Sequence, residues 1–161
     1  MNYGIDTYQL RVEIVRPVLR FLGLHSRIAE NLVLGTALVE SRSGYLRQVG
    51  GGPALGLWQM EPATHDDIMY NYVYFRPTLR QKLLDLSTPS TVTIGANELI
   101  GNLYYGAAMC RVHYRRVPEA LPGSFDAFGL AEYWKKYYNT VLGAGTVVKA
   151  LPHFEEACSA V

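Results

Sequence analysis

Cysteine is scarce in this chain, with only Cys110 and Cys158 present. Two thiols are too few for a disulfide framework or a four-thiolate zinc site. Whether they pair stays open from sequence, although Cys110 falls on an apolar helical row and reads as a buried free thiol. A long apolar run is missing too. No stretch approaches the ~18 residues of a membrane span, and Asp6, Arg11, Glu13 and Arg16 interrupt the beginning where a secretory signal would be unbroken. The chain is therefore expected to be made in the cytoplasm and to reach any external target by another route. An excess of one charge is also lacking. Lys and Arg number 15 against 14 Asp and Glu, for a net charge of +1, which argues against nucleic acid as the main partner. The histidines His25, His65, His113 and His153 are scattered with no His-x-x-x-His pair, so neither a metal nor another cofactor is expected. Internal repeats, low-complexity tracts and linkers are absent.

What is present suits one compact domain spanning residues 1–161 and working as a monomer. Apolar residues make up 49% and charged residues 18%, enough to build a core and too little charge for disorder. Tyrosine, with 12 residues, dominates the aromatics and suits half-buried clefts as well as the border of a small core. The hydrophobic periodicity predicts a mainly α fold with little or no β-sheet. Residues 7–22 form a first helix closed by Gly23. Ser26 caps a second, 27–41, apolar on most sides and hence a central core helix. Ser43 to Met60 is a loop broken by Gly50-Gly51-Gly52-Pro53 and Gly56, with room for a short hairpin. Pro62 opens a third helix with Thr64 and Asp67 as a capping pair. Helices follow at 78–86, 95–116, 125–138 and 146–159, with Pro89 to Thr93 as a connector.

Chemistry is concentrated at Glu40. Ala29, Val33, Thr36 and Glu40 share one face of the second helix, so the carboxyl lies on a mostly apolar surface. Glu40 also sits in the last turn, where the helix dipole repels a carboxylate. Both effects raise its pKa, and a carboxylic acid protonated near neutrality is what general acid catalysis requires. Periodicity alone leaves open the plainer reading, an exposed glutamate at a helix end.

Glu40-Ser41 is followed, after the glycine-rich loop, by Gly56-Leu57-Trp58-Gln59-Met60-Glu61-Pro62-Ala63-Thr64. Asn102-Leu103-Tyr104-Tyr105-Gly106-Ala107-Ala108 and Tyr137-Tyr138-Asn139-Thr140 come later, and Val147-Val148-Lys149-Ala150-Leu151 closes the series. In order and spacing these blocks resemble the lytic transglycosylases and goose-type lysozymes of the lysozyme-like superfamily, over roughly residues 27–151. The sequence departs from that pattern at Val141, where the family has glycine, with glycines displaced to 143 and 145. It departs also at Trp58, where Met or Ile is usual, and at Glu61, which adds a carboxylate.

The resemblance implies a lysozyme-like helical domain whose central buried helix faces a glycine-rich cleft loop. The implied substrate is peptidoglycan glycan strands, cut at the β-1,4 bond between N-acetylmuramic acid and N-acetylglucosamine, as in a bacteriophage endolysin or virion lysin acting in the periplasm or cell wall. Glu40 is the implied acid/base. Gln59 and Tyr138 are implied substrate contacts, with Trp58 and Tyr45 as loop aromatics for sugar faces and with Asn139 and Ser41 shaping the site. Glu61, Asp66 and Asp67 are candidate second carboxylates, although the last two suit the first turn of a helix. With no second acid compelled, the one-carboxylate route to 1,6-anhydro products is favoured over hydrolysis. The rivals are a zinc amidase, a Cys-His amidase built on Cys110, and a non-catalytic wall-binding or virion structural domain.

Overall fold

A computed structural model describes residues 4–88, 94–140 and 142–161; the connector read at residues 89–93, and Val141, lie outside them. The described residues are mainly helical and contain no β-strand.

Residues 7–22 form one continuous rod, α1, capped by the Asp6 side chain accepting from the Gln9 N–H. Its centre, Leu10–Val15, is wound as a π-helix before the rod resumes α-helical geometry at Arg16–Leu22. Pro17 has no N–H to give, and next to it the Arg16 N–H reaches back to Arg11 O, five residues away. Ser26 caps α2, Arg27–Ser41, by accepting from Ala29 N–H. Nearly all of α2 from Ala29 to Leu38 is buried, as expected of a helix apolar on most sides. Its most extensive partner is α8, Val147–Ser159. The two approach closely because Gly35 lacks a Cβ, which would collide with the ring of buried Phe154.

Around this pair lie α3 (Pro62–Asn71), a 3-10 turn at Val73–Phe75 and α4 (Pro77–Leu86). Next in the chain are α5 (Glu98–Gly101), α6 (Leu103–Arg115) and α7 (Ala127–Trp134), which runs on as a π-turn through Lys135–Asn139.

Two expectations about helix ends need correction. The helix predicted over 95–116 is broken at Asn102, whose backbone leaves the helical region. Asn102 Oδ1 caps α6 by accepting from Tyr105 N–H at 3.0 Å, while its Nδ2 donates to Leu86 O at 2.7 Å and Glu98 Oε1 at 2.8 Å. One side chain thus satisfies both sides of the break. At α3, Thr64 and Asp67 do not form a cap. The N-cap position belongs to Glu61, held extended by the following proline, and Pro62 occupies the helix start. Asp66 and Asp67 therefore lie beyond the first turn. Within the glycine-rich loop the anticipated hairpin is reduced to two isolated antiparallel bridges, Arg47 with Leu55 and Leu55 with Met60. Gly56 makes the turn between them with φ 74°, and a side chain there would collide with Leu99 O.

At the start of α2, Glu30 is 1% exposed and is met by basic side chains from α1 and from the loop between α1 and α2. Arg11 Nη1 lies 2.7 Å from Oε2, and Arg16 Nε and His25 Nε2 lie 2.7 and 2.6 Å from Oε1. Arg11 also donates to Asn31 Oδ1 at 2.8 Å and to Ala157 O, so the cluster pins α1, α2 and α8 together. Burial alone would raise the Glu30 pKa, but the hydrogen bonds from Arg16, His25 and Arg11 prevail and hold it at about 2. Glu30→Gln leaves the buried Arg11 guanidinium without its counter-charge. A loss of ~3–5 kcal/mol is expected at neutral pH, read by urea unfolding. Because the folded pKa is depressed, the carboxylate's contribution is present above the ordinary glutamate value and disappears as pH falls toward about 2. The difference between wild type and variant should shrink over that range.

Candidate active site

The last turn of α2 delivers Glu40 to the edge of a cleft of about 640 Å³. One wall comes from the loop after α2 and the start of α3, through Tyr45, Gln48, Gln59, Glu61 and Thr64. The other comes from the end of α7 and the turn beyond it, through Tyr138, Asn139, Thr140 and Gly143–Gly145. Residues distant in sequence therefore meet around one carboxyl.

The segment carrying Gln59 is clamped from both sides. Ser41 Oγ donates to Leu57 O at 2.7 Å, and the Tyr138 hydroxyl donates to Trp58 O at 2.6 Å. The Trp58 indole N–H donates to Val33 O at 2.9 Å, beneath the cleft. Trp58 is 2% exposed and packs on Gly106, where a side chain would collide with its ring. Trp58 is thus a core anchor rather than a sugar-stacking residue, because its whole ring fills the space left by a small residue on α6. Ser41 is likewise buried and acts on the loop backbone, not on a ligand. Tyr45, 49% exposed, does line the cleft. Gln59 itself is held at φ 46°, in the left-handed region that costs a non-glycine residue of order 1 kcal/mol. Its Nε2 donates to Gly56 O at 2.8 Å, leaving the carbonyl oxygen for a ligand.

The opposite wall is fixed by Lys135, whose Nζ donates to Asn139 Oδ1 at 2.7 Å and to Gly143 O at 2.8 Å. Asn139 thereby pins the backbone of the turn while bordering the cleft. The displaced glycines have a steric reason: a side chain at Gly143 would strike Asn139, and one at Gly145 would strike the Trp134 ring. Thr140, with φ 66° and ψ 169°, adopts a conformation largely reserved for glycine, so this wall too carries strain.

Burial raises the Glu40 pKa to about 7, opposed by one hydrogen bond, from Trp134 Nε1 to Oε1 at 2.8 Å. The indole N–H cannot accept a proton, so Oε1 serves as acceptor and Oε2 is the oxygen available to carry one. The surroundings are aromatic. Burial, above all, keeps Cys110, Tyr114 and Tyr138 protonated, and the nearby Glu40 charge works in the same direction. His113, which also lines the cleft, is held neutral. Burial and the Arg116 charge lower its pKa to about 4, against the opposing charge of Asp67. Its Nε2 lies 2.9 Å from Tyr137 O and Arg116 Nη2 lies 3.1 Å from its Nδ1, which assigns the proton to Nε2.

Of the three candidate second carboxylates, only Glu61 lines this cleft. Asp66 bonds to buried His65 at 2.9 Å, and Asp67 is engaged by Arg116 at 2.6 Å and by Asn71 at 2.8 Å. Trp134 and His113 were not foreseen as site residues. Trp134 precedes Tyr138 by one helical turn, and that spacing is the available signal. For His113 the sequence offers none. Among the described residues no group of three or more His, Cys, Asp and Glu is placed to hold a metal ion, and both cysteines are free thiols, Cys110 fully buried. A buried, protonated thiol is no nucleophile, which leaves the Cys-His amidase reading without support.

Set against family models, curated proteins and solved structures, the chain matches none.

Trp134→Phe deletes the bond that stabilises the ionised carboxyl while keeping an aromatic ring. The Glu40 pKa is expected to rise above that of the wild type, measured by NMR titration of the side-chain carboxyl carbon. An unchanged or lower value would show that the indole does not set this ionisation.

Proposed function

We propose that the chain is a peptidoglycan-cleaving glycosidase of the lysozyme-like kind, a lysin acting on cell-wall glycan strands at the bond between N-acetylmuramic acid and N-acetylglucosamine. The observation that carries this reading is the placement of a largely buried Glu40, its pKa raised by that burial to about 7, at a cleft otherwise lined mainly by neutral polar and small residues. The same cleft gathers Glu40, Gln59, Tyr138 and Asn139, the positions on which the family resemblance rests.

In this reading a glycan strand lies along the cleft with its scissile oxygen at Glu40 Oε2. The Gln59 amide, able to donate and accept without charge, holds an acetamido group. Glu40 donates its proton to the leaving oxygen as the sugar takes on oxocarbenium character. Indole donation to Oε1 then stabilises the new carboxylate. Tyr138 uses its own proton on Trp58 O, so it shapes the wall and offers only an acceptor oxygen. The muramic C6 hydroxyl next attacks the anomeric carbon and gives its proton back to Glu40, closing a 1,6-anhydro ring. Being part of the bound sugar, that hydroxyl has an effective-concentration advantage over water.

Glu61 supports a second reading, hydrolysis by a goose-type mechanism, because it borders the same cleft as Glu40. Mass spectrometry of digested peptidoglycan separates the two: anhydro products are lighter than reducing-end products by one water. Anhydro products, with substantial activity kept by Glu61→Gln, are expected. Reducing-end products together with collapse of the Glu61→Gln rate would establish hydrolysis.

Glu40→Gln retains shape but has no proton to give. Wall clearing followed by turbidity is expected to fall by at least ~10²–10⁴-fold. For the wild type, the active form is the protonated one, so the rate should decline as pH rises through about 7. Near-normal clearing by Glu40→Gln would remove Glu40 as the acid, whereas wall binding without clearing by the wild type would leave a wall-binding domain.

A further inference from the structure

On surfaces that share no residue with the Glu40 cleft, the start of α4 carries an arrangement that the chemistry above leaves unused. A cavity of about 360 Å³ has an apolar floor that includes Leu22, Leu24 and Leu79, with Arg76, Lys82 and Arg115 among the residues lining it. No carboxylate lines it. Two of the cations are fixed in place: the Arg76 guanidinium lies 3.6 Å from the Tyr72 ring centre, and Lys82 Nζ donates to Leu22 O at 3.1 Å. In a chain of net charge +1, such a grouping is a local concentration of positive charge rather than a share of a basic surface.

The other flank of α4 is aromatic. Tyr70, Tyr74 and Phe75 are 70%, 61% and 68% exposed. Tyr74 and Phe75 meet edge to face at 5.3 Å, and the Arg80 guanidinium stands 6.0 Å from the Tyr74 ring. Of the nearby acids, Asp66 borders this flank while bonded to His65, Asp67 is neutralised by Arg116, and Asp85 accepts from Gln81. Large aromatics in water forgo the free energy of burial. An apolar floor edged by cations matches a ligand with an acyl body and a phosphate head. Exposed aromatics flanked by arginine match the boundary between headgroups and acyl chains.

We propose that the surface around the start of α4 docks peripherally on a bilayer rich in anionic phospholipid. Headgroup phosphates sit against Arg76, Lys82 and Arg115, while Tyr74 and Phe75 enter the interfacial layer. Among the described residues no helix is long and apolar enough to cross a membrane, so the association is on the surface. It places the Glu40 cleft near the membrane without using Glu40, and stands or falls independently of the glycosidase reading.

The test is co-sedimentation of the full chain with vesicles. Binding is expected to vesicles of phosphatidylcholine containing about one-third phosphatidylglycerol, at least ~10-fold stronger than to phosphatidylcholine alone, and to weaken in ~0.5 M salt. Arg115→Glu, a change at an exposed helix end, should lower vesicle binding by about 10-fold or more while leaving thermal unfolding and cleavage of isolated peptidoglycan as they were. Phe75→Ser should weaken binding through the aromatic flank, and Glu40→Gln should bind vesicles like the wild type. Equal binding to both vesicle types, or no effect of Arg115→Glu, overturns the proposal. So does binding of free glycerol phosphate that depends on Arg115 in the absence of vesicle binding, which would make the cavity a small-phosphate site.

Discussion

A helix buried along almost its whole length must be covered on every side, and that requirement organises the remainder of this fold. Helix α2 has α8 against Gly35, with α1 and α8 tied around its beginning through Glu30. The Trp58 segment is fastened to it through Val33 and Ser41. Its last turn approaches solvent at Val39 and Glu40. A carboxyl placed there inherits the dryness of its surroundings without being sealed from a ligand, and the raised pKa of Glu40 follows from packing rather than from any single neighbouring charge.

The cleft follows from the same packing. Its two walls are irregular backbone, yet both are tied to rigid elements: one by Ser41 and Tyr138, the other by Lys135. The cost of this shape is visible in Gln59 and Thr140, two non-glycine residues with positive φ on opposite sides of the cleft. Strain of this sort persists where neighbouring bonds over-determine the backbone, and it positions groups before a ligand arrives.

Much of the helical plan was readable from residue pattern. Ser26 and the apolar run after it mark α2 at both ends, and the site residues Glu40, Gln59, Tyr138 and Asn139 do converge. What escaped the reading has particular causes. Asn102 lies within a good apolar row, and its service to two helices at once becomes visible only when Leu86 and Glu98 are placed beside it. Trp58 looks like an exposed loop aromatic until Gly106, on another helix, supplies the space for its ring. Trp134 is marked only by its one-turn spacing from Tyr138, and His113 reaches the site through contacts that no local spacing encodes. Sequence periodicity reports which face of an element is apolar; it is silent about which polar atoms meet across elements.

The two glutamates of α2 have opposite consequences for the way acidity acts on the folded molecule. Glu30 is ionised more readily in the folded chain than in the unfolded one, down to about pH 2, whereas Glu40 holds its proton up to about pH 7. Acidifying below the ordinary glutamate range withdraws the first contribution. Making the solution more alkaline than that range forces a charge into the dry end of the helix and works against folding. Each shift corresponds to a few kcal/mol at most. Taken alone, the pair confines greatest stability to a mildly acidic band between the two values. There the protonated form of Glu40 is also the form that the fold prefers.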